Sequence, residues 1–395
     1  MGPPPKVMIV TGEASGDLHA SRLVRAFKKR RPESEIYGVG GNNMREAGVK
    51  LIRNINDLST FGIFEVVKHL PRIAGVFFEA LNSIKRERPD VIVLVDYPDF
   101  NIRLARFIKW KYGKTPPILY YIAPQVWIWR RNRAKTITGL VDKLAVVLPF
   151  EKKLFENFGA DVHFVGHPLL GIAKESRESL NGLVPFKKKG AKKIALLPGS
   201  RRGELENYMP PIMDAIRTLK NTGGNYEFVI IKAPTLEKTD FERYLNENTQ
   251  EVTLIEGPTR AILKSADFAV VALGTATLEA ALAGAPAVLI GKVAPMTYQV
   301  GKRFLGMDLD YYGLVNFILE RAAFPELIQD DCNGVKMAEV IGEITESDKA
   351  MTALKKACGE VRRKLEIEAE KFDSCVNASQ RVAAILDNMI SENRK

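Results

Sequence analysis

Eleven short apolar runs, rich in Val and Ile, punctuate this chain, with stretches of helical composition between them. They are Val7–Thr11, Ile36–Val39, Val91–Val95, Ile118–Ile122, Lys143–Val147 and His163–Val165, then Lys193–Leu197, Glu227–Ile231, Val252–Ile255, Phe268–Val271 and Ala287–Ile290. A strand with one face in water alternates apolar and polar residues. Runs apolar on both faces belong in parallel sheets covered by helices on either side. The series fades over residues 171–190, a polar stretch with Gly and Pro that ends in Lys187–Lys189, and then restarts. This predicts an α/β chain of two doubly wound, Rossmann-like domains, residues 1–170 and 191–346, joined by a linker at 171–190 and facing a cleft. Residues 347–395 form a helical segment in which Met351, Leu354, Cys358, Val361 and Leu365 recur at helical spacing. That segment either caps the second domain or crosses back to the first. In such sheets ligands bind beyond the carboxyl ends of the strands.

Charge divides unevenly between the halves. Residues 1–170 hold 27 Lys and Arg against 16 Asp and Glu, whereas the remainder holds 31 of each, so the whole net charge of +11 lies in the first half. That half is expected to meet an anionic partner, a membrane surface or nucleic acid. The three cysteines, Cys332, Cys358 and Cys375, form no Cys-x-x-Cys, so neither a disulfide framework nor a zinc site is expected, and a reducing cytoplasm fits. No signal peptide is read at the start, because the Val7–Val10 run is short and passes into a Gly-rich turn. Phe268–Gly291 carries Glu279, Gly284 and Pro286 and reads as strand, helix and strand, not as a membrane span.

The turns after strands carry the candidate chemistry. Gly12-Glu13-Ala14-Ser15-Gly16-Asp17 joins the first strand to a helix and is neither a Walker loop nor G-x-G-x-x-G, so neither ATP nor NAD is implied. Asp96 follows five apolar residues at the end of a central strand, and Pro98 stops that strand. A carboxylate there is costly to bury without purpose, and a general base is favoured over a capping Asp. Asp99 and Asn101 are neighbours of open role. The run Pro124–Arg133 sets Gln125, Trp127 and Trp129 beside Arg130, Arg131 and Arg133, which suits stacking on a sugar or a lipid headgroup as well as a core tryptophan pair. In the second half, Gly199 and Ser200 can offer amides, and Arg201 a planar fork, to a diphosphate. Gly274 and Thr275 begin a helix whose N-terminus suits phosphate, and Glu279 lies a turn further on, within reach of a ribose. Along Thr60–Arg86, the residues Ile63, Val67, Leu70, Ala74, Phe77, Leu81 and Ile84 form a core-facing helical stripe interrupted at Pro71. Phe64, Val76 and Phe78 lie off it, beside Lys68 and Arg72, as a patch for an anionic bilayer.

GEASGD (12–17), DYPDFN (96–101), PQVWIWR (124–130), FVGHP (164–168), LPGSR (197–201), GTATLE (274–279) and Leu314-Val315-Asn316 occur in one order. In this ordered set the chain resembles the lipid-A-disaccharide synthases, from about Val7 to Asn316. The resemblance implies a glycosyltransferase of the B architecture. It implies transfer of 2,3-diacylglucosamine from its UDP conjugate to 2,3-diacylglucosamine 1-phosphate, giving a β-1,6-linked disaccharide 1-phosphate and UDP with inversion. It also implies a place on the cytoplasmic face of the inner membrane, in lipid A biosynthesis. By position, Asp96 matches the family's proposed base, Arg201, Glu279 and Asn316 its nucleotide side, and Glu13 a cleft-facing loop, with Ser15, Asn101, Gln125 and Trp127 on the acceptor side. No metal and no cofactor are expected, and an oligomer is compatible with the sequence. The competing readings are another UDP-sugar enzyme of the same fold, such as a 2-epimerase or a peptidoglycan-type N-acetylglucosaminyltransferase, and a nucleic-acid binder. The last leaves Arg201 and Glu279, in the neutral half, without a purpose.

Overall fold

A computed structural model describes residues 3–55, 63–112, 115–124, 132–175, 185–245, 252–292, 310–367 and 375–394. Two compact units form, one from residues 1–171 with 368–395, the other from 172–367.

The first unit is built on seven parallel strands: β1 (Lys6–Val10), β2 (Glu35–Gly40), β3 (Lys50–Asn54), β4 (Val91–Val95), β5 (Ile118–Tyr121), β6 (Lys143–Val146) and β7 (Val162–Phe164). Their order is β3-β2-β1-β4-β5-β6-β7. β1 is central, with Ile9 registered to Gly38 on one side and Val93 on the other. All five residues of β4 are fully buried, which is why the run carries no polar alternation. Each such Val, Leu or Ile contributes roughly 1.5–3 kcal/mol by leaving water. The strand order reverses between β1 and β4, and a doubly wound sheet opens its ligand crevice at such a reversal.

The end of the chain belongs to this unit. The helix Ala378–Asn393 packs on the helix Ala14–Arg30. Its Asp387 accepts from Arg31 Nε at 2.7 Å, and Arg381 donates to the Val165 carbonyl at 3.0 Å. Just beyond it, Arg394 grips Asp90 through two bonds of 2.8 Å.

The second unit repeats the scheme with six parallel strands: β8 (Lys192–Leu197), β9 (Tyr226–Ile231), β10 (Val252–Ile255), β11 (Phe268–Ala272), β12 (Ala287–Gly291) and β13 (Glu326–Ile328), in the order β10-β9-β8-β11-β12-β13. Here the order reverses between β8 and β11. The helix Asp348–Ile367 packs within this unit, with Leu354, Cys358, Val361 and Leu365 buried. Among the described residues no helix is long and apolar enough to cross a membrane.

The helix Ile63–Glu87 continues through Pro71, where sequence periodicity suggests an interruption. Its buried face also corrects the expected stripe. Val76, expected on the outer patch, is 2% exposed, and Ala80, Leu81, Ser83 and Ile84 are buried with it, whereas Ala74 is exposed. Phe78 and Arg72 do face water. The side chains of Phe64 and Lys68 lie outside the described residues.

Candidate functional site

Each unit brings two of its motifs to its own strand-order reversal, GEASGD and DYPDFN in the first and LPGSR and GTATLE in the second. In the first, Asp96 follows β4 directly and takes φ +49, and Tyr97 takes φ +48. Two successive left-handed residues other than glycine cost about 1–2 kcal/mol each, so the surroundings must impose the turn. The Asp96 N–H donates to the Tyr121 carbonyl at 3.1 Å. The Asp96 carbonyl accepts from Tyr120 Oη and Asn101 Nδ2, both at 2.7 Å. The Tyr97 ring lies over Gly12, where a Cβ would sit 2.2 Å from a ring carbon, so a side chain at position 12 would evict it. Strand ends β1 and β4 are thereby locked together.

This frame fixes the electrostatics of Asp96. Burial, assisted by the negative charge of Glu13, raises its carboxyl from the ordinary 3.8 to about 6, although the Tyr97 N–H favours the ionised form. Glu13 and Ser15 are exposed, where the helix Ala14–Arg30 begins. Asp99 is exposed and paired with Arg133 at 2.6 Å. Asn101, assigned by sequence to the acceptor side, is fully buried behind the turn and supports Asp96 instead of facing a substrate. Gln125 and Trp127 lie outside the described residues.

Two polar residues of these motifs are structural. Asp17 is buried and accepts four N–H bonds: from Gly41 N at 2.7 Å, Asn43 N at 3.0 Å, Asn43 Nδ2 at 2.8 Å and Met44 N at 3.1 Å. It closes the loop after β2 and starts the short helix Asn42–Glu46. His167 of FVGHP is buried, held down to about 3 and therefore neutral, and its Nδ1 accepts from Leu169 N at 3.2 Å.

In the second unit, Gly199 takes φ +114 after β8, and the helix Arg202–Asn221 follows Ser200 and Arg201. The Arg201 side chain is 78% exposed, open to an incoming anion. Sequence reasoning passes over Glu204. Its carboxylate accepts the Ser200 N–H at 2.7 Å and Arg201 Nη1 at 3.3 Å, and it fills the space a Cβ on Gly199 would need. The Ser200 amide is thus already committed in this state. The available signal is a Glu three residues into a helix, the usual sign of a carboxylate folded back on the first amides.

Across the reversal, Gly274 (φ +141) caps the nine-residue helix Thr275–Ala283, with Gly274 and Thr275 exposed at its N-terminus. Glu279 is half-buried on that helix. Burial raises its carboxyl, opposed by the nearby Arg260, a second residue that sequence reasoning passes over. Arg260 is buried and donates to the Leu282 carbonyl at 3.0 Å.

Asn316 is a correction. It is fully buried; its Nδ2 donates to Phe324 O at 2.9 Å and Glu326 Oε1 at 2.7 Å, and its Oδ1 accepts from Ala323 N at 3.0 Å and Phe324 N at 2.8 Å. An amide side chain has two protons and two lone pairs, so none is left for a nucleotide. Asn316 instead pins the loop that leads into β13.

The chain carries one Asp-x-Asp triplet, Asp308-Leu309-Asp310, of which only Asp310 lies among the described residues. Among the described residues no group of three or more His, Cys, Asp or Glu side chains is placed to hold a metal ion.

Two doubly wound parallel-sheet units, with the Asp96 carboxylate at one reversal and an anion-suited turn and helix start at the other, have the two-domain B architecture of nucleotide-sugar transferases. A UDP-N-acetylglucosamine 2-epimerase of Neisseria meningitidis, solved with UDP-GlcNAc, shares the fold at TM-score 0.63 and 12% identity, over 98% of this chain and 100% of that one. A calicheamicin glycosyltransferase shares it at TM-score 0.62 and 14% identity, over 98% of both. The chain belongs to the lipid-A-disaccharide synthetase family, whose model matches residues 7–380. A lipid-A-disaccharide synthase of Syntrophus aciditrophicus is 40% identical over 361 residues, 91% of this chain and 93% of its own length. One of Geobacter sulfurreducens is 37% identical over 388 residues, 98% of each.

Proposed function

We propose that the chain joins UDP-2,3-diacylglucosamine to 2,3-diacylglucosamine 1-phosphate by a single inverting displacement, with Asp96 as the base. The observation that carries this reading is Asp96 itself: a carboxyl held in a strained turn at a strand-order reversal and raised to about 6, close to working pH, as a general base should be. As the acceptor 6-hydroxyl oxygen attacks the anomeric carbon, Asp96 takes its proton and the bond to the UDP oxygen breaks through an oxocarbenium-like state. Charge growing on the departing UDP is met by Arg201 and by the N-terminus of Thr275–Ala283. Glu279 accepts from the ribose hydroxyls. The basic first unit docks on the cytoplasmic face of the inner membrane, where the acyl chains of both substrates lie, and Phe78 and Arg72 on the helix Ile63–Glu87 belong to that docking face.

The test is release of UDP from the diacyl donor, measured with and without the diacyl acceptor. Acceptor-dependent release with formation of a disaccharide is expected. Epimerised donor with UDP still attached would overturn the reading in favour of a 2-epimerase.

A further inference from the structure

Two of the large apolar side chains left in water stand on neighbouring helices of the first unit and are joined by a row of rings. Trp110 is 77% exposed at the end of the helix Pro98–Lys111, and Phe78 is 56% exposed on Ile63–Glu87. Phe77 meets Phe78 edge-on at 5.9 Å and Phe107 at 5.8 Å, and Phe107 meets Trp110 at 5.2 Å. The strip Phe78–Phe77–Phe107–Trp110 therefore bridges both helices, with a half-buried middle and exposed ends.

Among the described residues of these two helices, the charges outside ion pairs are basic. Arg72, Arg103, Arg106 and Lys111 are exposed, and Lys111 Nζ stands 5.7 Å from the Phe107 ring. The described acids of these helices are already paired: Glu79 with Arg53, Glu87 with Lys6 and Arg86, and Asp99 with Arg133. An aromatic strip among unneutralised cations fits a surface that is apolar beneath an anionic layer. A tryptophan prefers that boundary, where its ring is buried and its N–H stays wet.

We propose that this strip, anchored by Trp110, is where the protein seats on an anionic lipid bilayer. The inference rests on the membrane docking included in the proposed function and assigns its anchor to a second helix. That assignment carries a functional consequence. The helix Pro98–Lys111 has Trp110 in its last turn, and the Asp96–Tyr97 turn immediately precedes its first residue. One rigid 14-residue rod, about 21 Å long at 1.5 Å per residue, thus ties the membrane anchor to the base. A further ring contact, Phe77 to Phe100 at 5.7 Å, links the strip to Tyr97, 5.8 Å from Phe100.

The experiment is co-sedimentation of the full chain with phosphatidylcholine vesicles containing or lacking phosphatidylglycerol, for wild type, Trp110→Ser and Phe78→Ser. Wild type should bind the anionic vesicles, and Trp110→Ser should bind at least about tenfold more weakly. KM for vesicle-borne acceptor should rise with it, while turnover on detergent-dispersed substrates stays unchanged. Wild-type binding that Trp110→Ser leaves intact sinks this inference but not membrane docking, whereas failure of wild type to bind anionic vesicles sinks both. Equal binding to neutral vesicles overturns the charge argument. Conversion of a dimer to a monomer by Trp110→Ser in sedimentation velocity overturns the proposal by making the occupant a second copy.

Discussion

Replacing Asp96 by Asn should cut turnover by orders of magnitude and at the same time stabilise the first unit. Asn keeps the shape and an oxygen that accepts the Tyr97 N–H, but it carries no charge. The rise from 3.8 to about 6 is about two pH units and reports a carboxylate disfavoured by burial and by Glu13. At about 1.4 kcal/mol per unit, the ionised form costs the folded state about 3 kcal/mol. The sign follows from linkage. Because the folded value is raised, the neutral acid's contribution to stability is complete below 3.8 and is lost as pH rises through about 6. At pH 7.5, Asp96→Asn should therefore gain up to about 3 kcal/mol, and at pH 4 almost nothing. Urea unfolding followed by tryptophan fluorescence reads this directly, since Trp110, Trp127 and Trp129 all belong to the first unit. Turnover should fall by about 10²–10⁴-fold, and wild-type kcat/KM should climb with pH through about 6 as the base ionises. A stability gap that does not change between pH 4 and 7.5 would refute the buried-charge argument. Turnover within tenfold of wild type would take the base role from Asp96 and pass the test to Glu13.

Arg201→Ala should weaken UDP binding by roughly 1.5–3 kcal/mol, the scale of a charged hydrogen bond; unchanged affinity by calorimetry would remove Arg201 from the diphosphate. Asp17→Ala should destabilise the first unit by roughly 3 kcal/mol or more, because it strips partners from buried Gly41 and Met44 amides; it should leave UDP affinity unaltered, and loss of UDP binding alone would contradict a structural role. Asn316→Ala should lower the melting temperature of the second unit with UDP affinity impaired only in proportion to the unfolded fraction, and a large affinity loss in a fully folded variant would restore Asn316 to the nucleotide.

The central strands were legible because burial on both faces leaves an unmistakable apolar run, as in VIVLV at β4. Of the four edge strands, β7 and β10 showed as runs, whereas β3 and β13 did not. β3 is KLIRN, charged and half-exposed, and β13 has only three residues, so neither shows a run. Asp96 was legible for a related reason: a carboxylate ending an apolar run stands out. Asn316 and Asn101 show the limit of that logic. A polar residue in a motif can equally be there to saturate buried backbone groups, and only the partners distinguish the two. Val76 failed as a surface residue because Val76, Ala80 and Ser83–Ile84 make a face displaced by part of a turn from the stripe counted through Ala74 and Phe77. Trp110 was hidden because a lone tryptophan among Lys and Arg has no pattern to reveal its exposure.

The same topological device is used twice with opposite electrostatics, a division that suits the proposed chemistry. At the β1/β4 reversal the reversal-facing acids are Glu13 and Asp96, and the like charge of Glu13 helps burial keep Asp96 basic enough to accept a proton near neutral pH. At the β8/β11 reversal the features are exposed Arg201 and the amides at the start of Thr275–Ala283, which favour anions. Were the two sets merged on one unit, a guanidinium beside Asp96 would pull its carboxyl down and weaken it as a base, and Asp96 would repel the diphosphate. Exchanging the charges separates these effects. Glu13→Gln should lower the Asp96 value and move the acid limb of the pH–rate profile to lower pH without altering UDP affinity, because the proposed UDP contacts belong to the second unit. An acid limb that stays in place would show that burial by itself sets the basicity of Asp96.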